Sequence, residues 1–246
     1  MLNSKYSNIL TMVLIILIVA IFGIMGYFCY SYLNTKSIES NASSAVDEFA
    51  RATKAVKRER PVQNTTAPEE VVNETPQEIV NPIDLLNPTT VEEPEPQAGE
   101  QKDPDKVYMK GYEVIGTIEI PKTGIEYPVL EKVTKKSLEI AIARAYGPGL
   151  NEIGNVVLYG HNYRNNSFFS NNDKLTPGDT IYITDIYGDR IGYTVYKVYE
   201  TSANDASYMQ RDTQGHRELS LQTCTDDSSA RIIVWAIEEG APIPEV

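Results

Sequence analysis

From Ile9 to Leu33 the chain is almost wholly apolar and carries no charge. About 20 apolar residues in a helix span a bilayer, so this run predicts a transmembrane helix over about residues 9–33. A secretory signal has a shorter apolar region, about 7–15 residues, with small residues at a nearby cleavage site. Here the nearest small cluster, Ala42-Ser43-Ser44-Ala45, falls well past the run. A retained membrane anchor over residues 1–35 is the expectation. Basic residues flank the run almost evenly, Lys5 before it and Lys36 and Arg51 after it. The positive-inside count therefore gives N-inside topology only a slight preference.

Residues 34–60 turn polar. Asp47 to Arg60 reads as a short basic helix on a solvated stalk, with contact to anionic lipid or wall polymer as the sharper alternative. Residues 61–104 hold eight of the 14 prolines, together with many Glu, Thr, Asn and Gln. Such a segment cannot bury enough apolar surface to offset the entropy of ordering, and proline and like charge extend it. Residues 36–105 thus read as a linker, polar and then acidic and disordered. Its apolar island, Ile83-Asp84-Leu85-Leu86, is a weak docking candidate.

From Lys106 onward the pattern is that of short runs rich in Val, Ile and Tyr between turn signals. Strands are predicted at 112–120, 125–130, 154–160, 180–186, 190–200, 217–224 and 231–238. A helix is predicted over Lys135 to Ala145, and a short turn at Ser167-Phe168-Phe169. So many short strands in residues 106–246 predict an all-β barrel or sandwich.

Charge narrows the function. The net charge is −12, and eleven acids between Glu69 and Asp105 against Lys102 supply −10 of it. The remainder is nearly neutral, so a nucleic-acid partner has no electrostatic footprint. Of the two cysteines, Cys29 lies in the apolar run, which leaves Cys224 alone in the predicted barrel and no disulfide there.

Cys224 ends a strand in Ser220-Leu221-Gln222-Thr223-Cys224-Thr225 and precedes the polar loop Asp226-Asp227-Ser228-Ser229. A cysteine ending a strand is commonly a small core residue. The polar brackets, Thr223 and Thr225, and the solvent-facing loop favour a nucleophile instead. His161 closes another strand, in Leu158-Tyr159-Gly160-His161-Asn162. A neutral imidazole there can take the thiol proton, and the imidazolium can protonate a departing amine. His216 sits in a polar connection and is the weaker candidate. Arg231 opens the strand after the Cys224 loop, and its fixed fork of donors suits a developing oxyanion. Arg190 and Arg217, which also open strands, are its substitutes. Thr223, Gly160 and Asn162 are candidates for contacting substrate, Gly160 because its missing side chain lets another chain approach. Glu131, Glu139, Asp173 and Asp185 have no calcium-loop spacing, so no metal and no cofactor is expected.

These residues resemble the sortase family. Leu221, Thr223 and Cys224 resemble its TLxTC signature, with Ser220 where the signature has Thr. The downstream Arg231 and upstream Gly160-His161 agree in order and approximate spacing. Ile118–Val129 and Asn155–Asn162 also resemble sortase segments, so the likeness covers roughly residues 110–240. It implies a closed eight-stranded β-barrel with one or two short helices. It also implies an extracytoplasmic, single-pass cysteine transpeptidase at a Gram-positive-type cell surface. Such an enzyme cleaves surface proteins at a C-terminal LPxTG-like sorting signal and joins them to an amine of a cell-wall precursor. Cys224 would attack, Arg231 would steady the oxyanion and His161 would protonate the leaving amine. No second transmembrane span follows Val246, and Asp103-Pro104-Asp105 lacks a lid aromatic, which argues mildly against a pilus-polymerising type. The sorting-motif look of Ile120-Pro121-Lys122-Thr123-Gly124 is read as part of a hairpin. A cysteine peptidase using water, and a tethered non-catalytic β-barrel binding module, are the alternatives.

Overall fold

The computed structural model describes residues 4–55, 103 and 106–244. The acidic Pro/Glu-rich segment, with Ile83–Leu86, and residues 56–60 of the expected basic helix lie outside them. The chain forms two compact units, Met1–Ser40 and Asn41–Val246. The first is the leading part of helix α1 (Ser4–Ala55). Its large apolar side chains from Ile9 to Leu33 are exposed. Among the described residues this is the one helix long and apolar enough to cross a membrane.

The second unit begins with the last turns of α1. Ala42, Ala45 and Phe49 recur on one helical face and are buried, Phe49 to 3% exposure. Phe49, Ala52 and Thr53 line a cleft with Val107, Val114 and Tyr187. This corrects the solvated-stalk reading for residues 41–55. Three apolar positions at helical spacing are enough to cover one face, although the segment is polar on average.

Among the described residues nine strands follow: β1 (Val107–Met109), β2 (Tyr112–Ile120), β3 (Ile125–Leu130), β4 (Ile142–Tyr146), β5 (Gly154–Tyr159), β6 (Thr180–Asp185), β7 (Arg190–Ser202), β8 (Arg217–Cys224) and β9 (Ala230–Glu238). They form one sheet in the order β1-β2-β3-β4-β5-β8-β9-β7-β6, and a β2–β6 pairing closes it. Eight strands make the closed barrel. β1 pairs with β2 at residues 112–114, ahead of the β6 pairing at 116–119. Alternate side chains fill the interior: Ile118, Ile120, Val129, Leu158, Ile181, Val195, Leu221 and Val234 are essentially inaccessible. The sequence-predicted strands agree with the observed ones to within two residues at their ends.

The expected helix over 135–145 is only partly correct. Helix α2 covers Lys135–Leu138, opened by a capping box in which Thr134 Oγ1 accepts from Ser137 N (2.9 Å) and Ser137 Oγ from Thr134 N (2.7 Å). Ile142 and Ala143 instead pair with Val129 and Leu130 in parallel, and Ala143 with Tyr159. Ile140 to Ala143 is a continuous buried run, which a strand covered on both faces satisfies and a one-sided helix does not. The sorting-like stretch Ile120–Gly124 is the β2–β3 turn. Gly124 N bonds Ile120 O at 3.0 Å, and Gly124 takes φ +69°, which a glycine adopts freely.

Candidate active site

β8 alternates. Glu218, Ser220, Gln222 and Cys224 share one face and point away from Leu219, Leu221 and Thr223. Across the antiparallel β8–β9 pair Cys224 stands directly opposite Arg231. On the other side β5 runs parallel to β8, with Val157 beside Ser220 and Tyr159 beside Gln222. β5 ends at Tyr159, but Gly160 N still donates to Gln222 O (3.2 Å) and Asn162 Nδ2 to Cys224 O (3.0 Å), so the segment bearing His161 runs beside the end of β8. Cys224, Arg231 and the segment bearing His161 therefore lie at the same end of β8.

Each group has a defined surrounding. Cys224 is a partly exposed free thiol. Arg231 is 6% exposed, and its Nη1 donates to Ala230 O (2.9 Å) and Ser228 O (3.4 Å). Its Nε is buried without a hydrogen-bond partner among the described residues. His161 is half-buried, its ring centroid 5.0 Å from that of Tyr163, and its carbonyl accepts from Phe169 N (3.1 Å). Burial pushes the His161 pKa below its ordinary value, and the Glu139 carboxylate pulls weakly the other way. The neutral imidazole is thus the favoured resting form at neutral pH.

Beneath these groups lies a buried hydroxyl chain. Tyr159 Oη and Tyr208 Oη are 2.8 Å apart, and Tyr208 Oη donates to Gln222 Oε1. Burial pushes the Tyr159 phenol up to about 12, while Tyr208 and the Arg231 charge act against that rise. Asn155 Nδ2 holds the carbonyls of Tyr208 and Met209 at 3.0 and 2.9 Å, which pins the β7–β8 loop over this face.

The expected substrate contacts divide. Asn162 sits at the rim, its amide donating to Cys224 O (3.0 Å) and Asp226 Oδ1 (2.9 Å). Thr223 is 1% exposed, with its hydroxyl unpartnered among the described residues. Gly160 is buried, and a Cβ there would lie 2.7 Å from the Phe169 ring. Its missing side chain makes room for Phe169.

The competitors lie at the far end of the barrel. His216 precedes β8 and stands 3.5 Å from Glu238 through Nδ1, Arg217 is paired with Glu238 at 2.7 Å, and Arg190 with Glu119 at 2.6 Å. The four carboxylates weighed for calcium are dispersed. Glu131 pairs with Arg144, and Asp185 is buried and bonded to Asn151 Nδ2 (3.1 Å). Among the described residues no group of three His, Cys, Asp or Glu side chains is placed to hold a metal. Sequence reading missed Tyr208 and Phe169. Tyr208 is one of 16 tyrosines and lies in a loop without periodicity, so nothing in the sequence marks it out.

The family described as "Sortase domain" matches residues 118–239. Sortase A of Bacillus anthracis is 33% identical over 125 residues, 50% of this chain. The chain spans 58% of that relative's length. Among solved structures, sortase C1 of GBS pilus island 1 has a TM-score of 0.53 at 22% identity, covering 83% of this chain and 93% of that one. A Clostridium perfringens sortase D5 transpeptidase is 32% identical with a TM-score of 0.47, covering 52% of this chain and 79% of that one. The barrel is a sortase domain, and through it the chain belongs to the sortase family.

Proposed function

We propose that this protein is a membrane-anchored cysteine transpeptidase that cleaves an LPxTG-like sorting signal and joins the released acyl group to an amine of a cell-wall precursor. The observation that carries the reading is that Cys224 stands opposite Arg231, while the Gly160–Asn162 segment that bears His161 is bonded to Gln222 O and Cys224 O beside them. The apolar helix over residues 9–33 supports a single-pass anchor.

The chemistry follows from the groups. Neutral His161 accepts the Cys224 thiol proton as sulfur bonds to the carbonyl carbon of the sorting-signal threonine. The oxyanion formed takes hydrogen bonds from Arg231, whose buried Nε has no other partner among the described residues. Collapse breaks the carbon–nitrogen bond, and the imidazolium gives its proton to the departing amine. A thioester on Cys224 remains. The incoming amine attacks it, passes a proton to His161, and releases the thiol. The low pKa of His161 suits its first role and makes the imidazolium a strong acid in its second.

The test is a peptide library screened for cleavage with and without amines such as glycine oligomers or diaminopimelate. Wild type should form a covalent adduct on Cys224 by mass spectrometry, and added amine should divert product from acid to amide. Cys224→Ala should be inactive and folded. Arg231→Ala should lose kcat more than KM, by about 2.7–4 kcal/mol, and Arg231→Lys should recover only part. Turnover by Cys224→Ala at the wild-type rate would refute the nucleophile. Hydrolysis unaffected by any amine would favour the peptidase.

A further inference from the structure

We infer that Asn162 is a positioning residue whose side-chain amide extends the β5–β8 ladder past its end and holds His161 level with Cys224. The inference rests on the reading of Cys224 and His161 as nucleophile and acid–base group.

β5 ends at Tyr159, short of His161. Gly160 N still donates to Gln222 O at 3.2 Å. In a parallel ladder successive N–H donors on one edge come from alternate residues, so the next rung joins position 162 to Cys224 O. Here the chain leaves the sheet, and Asn162 forms an antiparallel bridge with Phe168. The Asn162 side chain supplies the rung, Nδ2 donating to Cys224 O at 3.0 Å. His161 thus stands between two ties to β8, one on each side of it in sequence. Its own carbonyl is held by Phe169 N at 3.1 Å.

The rest of the amide is committed as well. Its second N–H reaches Asp226 Oδ1 at 2.9 Å, and its Oδ1 accepts from Arg164 N at 3.0 Å. A flipped amide would set its oxygen against a carbonyl and a carboxylate, so the hydrogen-bond pattern fixes the orientation. Both donors are spent inside the protein and none is left for substrate. This separates a positioning role from the substrate contact expected from the sequence. The same amide joins three points of the site: the residue after His161, the backbone of Cys224, and the first acid of the following loop.

A displacement of about 1 Å between reacting groups can cost about 10²-fold in rate. Asn162→Ala should therefore lower kcat by about 10–10² while KM stays within about twofold. Asn162→Asp, similar in shape but presenting a carboxylate to Cys224 O and Asp226, should be at least as slow. Asp226→Ala removes one leg only and should lose less. The experiment uses the detergent-solubilised full chain with Cys29→Ser. The rate of iodoacetamide alkylation at Cys224 is followed against pH, beside turnover of the best peptide from the screen. His161→Ala sets the profile of a thiol without its imidazole, and Asn162→Ala should move toward it with cooperative unfolding retained. Should Asn162→Ala not fold, Asp226→Ala gives the same readout, with a partial shift expected. An unmoved profile and kcat in the folded variants would overturn the inference. So would a raised KM with unchanged kcat, which would make Asn162 a substrate contact. A wild-type profile and turnover in His161→Ala would instead overturn the functional reading on which the inference rests.

Discussion

Gly160→Ala tests how closely the segment bearing His161 is packed. A Cβ at this position would sit 2.7 Å from Phe169 Cδ2 and 2.9 Å from Cγ, closer than carbon atoms approach. Phe169 is fully buried, so its ring has nowhere to retreat, and the backbone of Gly160 must yield. Overpacking of this kind costs about 1–3 kcal/mol. Gly160 is outside the left-handed region, so alanine also stiffens the unfolded chain, which returns about 0.4–1 kcal/mol. The net expectation is a loss of about 1–2 kcal/mol. At about 2–4 °C per kcal/mol for a domain of this size, the melting temperature should fall by about 2–8 °C. Activity should fall too, because the residue that must move is covalently next to His161. Calorimetry and peptide turnover read the two effects. Phe169→Leu, made in the Gly160→Ala protein, should restore part of the lost activity by opening space for the new methyl group. A Gly160→Ala protein with wild-type melting and wild-type turnover would refute the argument.

Three further expectations follow from buried contacts. Tyr208→Phe removes a hydroxyl shared between Tyr159 and Gln222 and leaves both short of a partner, so chemical denaturation should show a loss of about 1–3 kcal/mol; an unchanged midpoint would refute the chain. His161 should titrate by NMR below its ordinary 6.5, and Glu139→Gln, which removes the raising charge, should lower it further. Because that folded pKa lies below the unfolded one, this histidine's contribution to stability is present above the unfolded value and is lost as pH falls from there through the folded value. A His161 titration above 6.5 would contradict the burial argument. Phe49→Ala should destabilise the barrel unit by up to about 3–5 kcal/mol, and an unchanged melting curve would show that this face of α1 contributes nothing.

The sequence revealed most where side chains obey one local rule. Ile9–Leu33 is long and uncharged, and strands such as Tyr112–Ile120 and Ala230–Glu238 are rich in β-branched and aromatic residues. Cys224, His161 and Arg231 could be singled out because each stands where a strand meets a polar loop. What stayed hidden depends on partners distant in the chain. Ile142–Tyr146 is a strand because β3 and β5 flank it, and its own residues suit a helix as well. Val107–Met109 is too short to show a period, and pairs only because β2 extends beyond β6. The buried face of Asn41–Ala55 rests on Ala42, Ala45 and Phe49 among polar neighbours. Gly160 stands out for its small size, but its close neighbour is Phe169, nine positions on, which no local pattern indicates.

The seam between β3 and β4 is the shortest in the barrel. Only Val129 and Leu130 pair across it, with Ile142 and Ala143, whereas β7 and β9 match along almost their whole lengths. Local opening starts where few backbone bonds must break together, so amide exchange in Ile142–Tyr146 should precede exchange in β8 and β9. Beyond this seam Ile125–Pro128 does not pair with β4, yet Ile125 and Tyr127 are buried and the Phe168 ring stacks on Tyr127, so side chains close over this side. A sheet edge left open would invite another chain to add a strand. Two residues work against this: Glu126 places a carboxylate on the exposed face, and Pro128 brings no N–H to any ladder. The barrel can thus loosen at its weakest join without becoming a template for its neighbours.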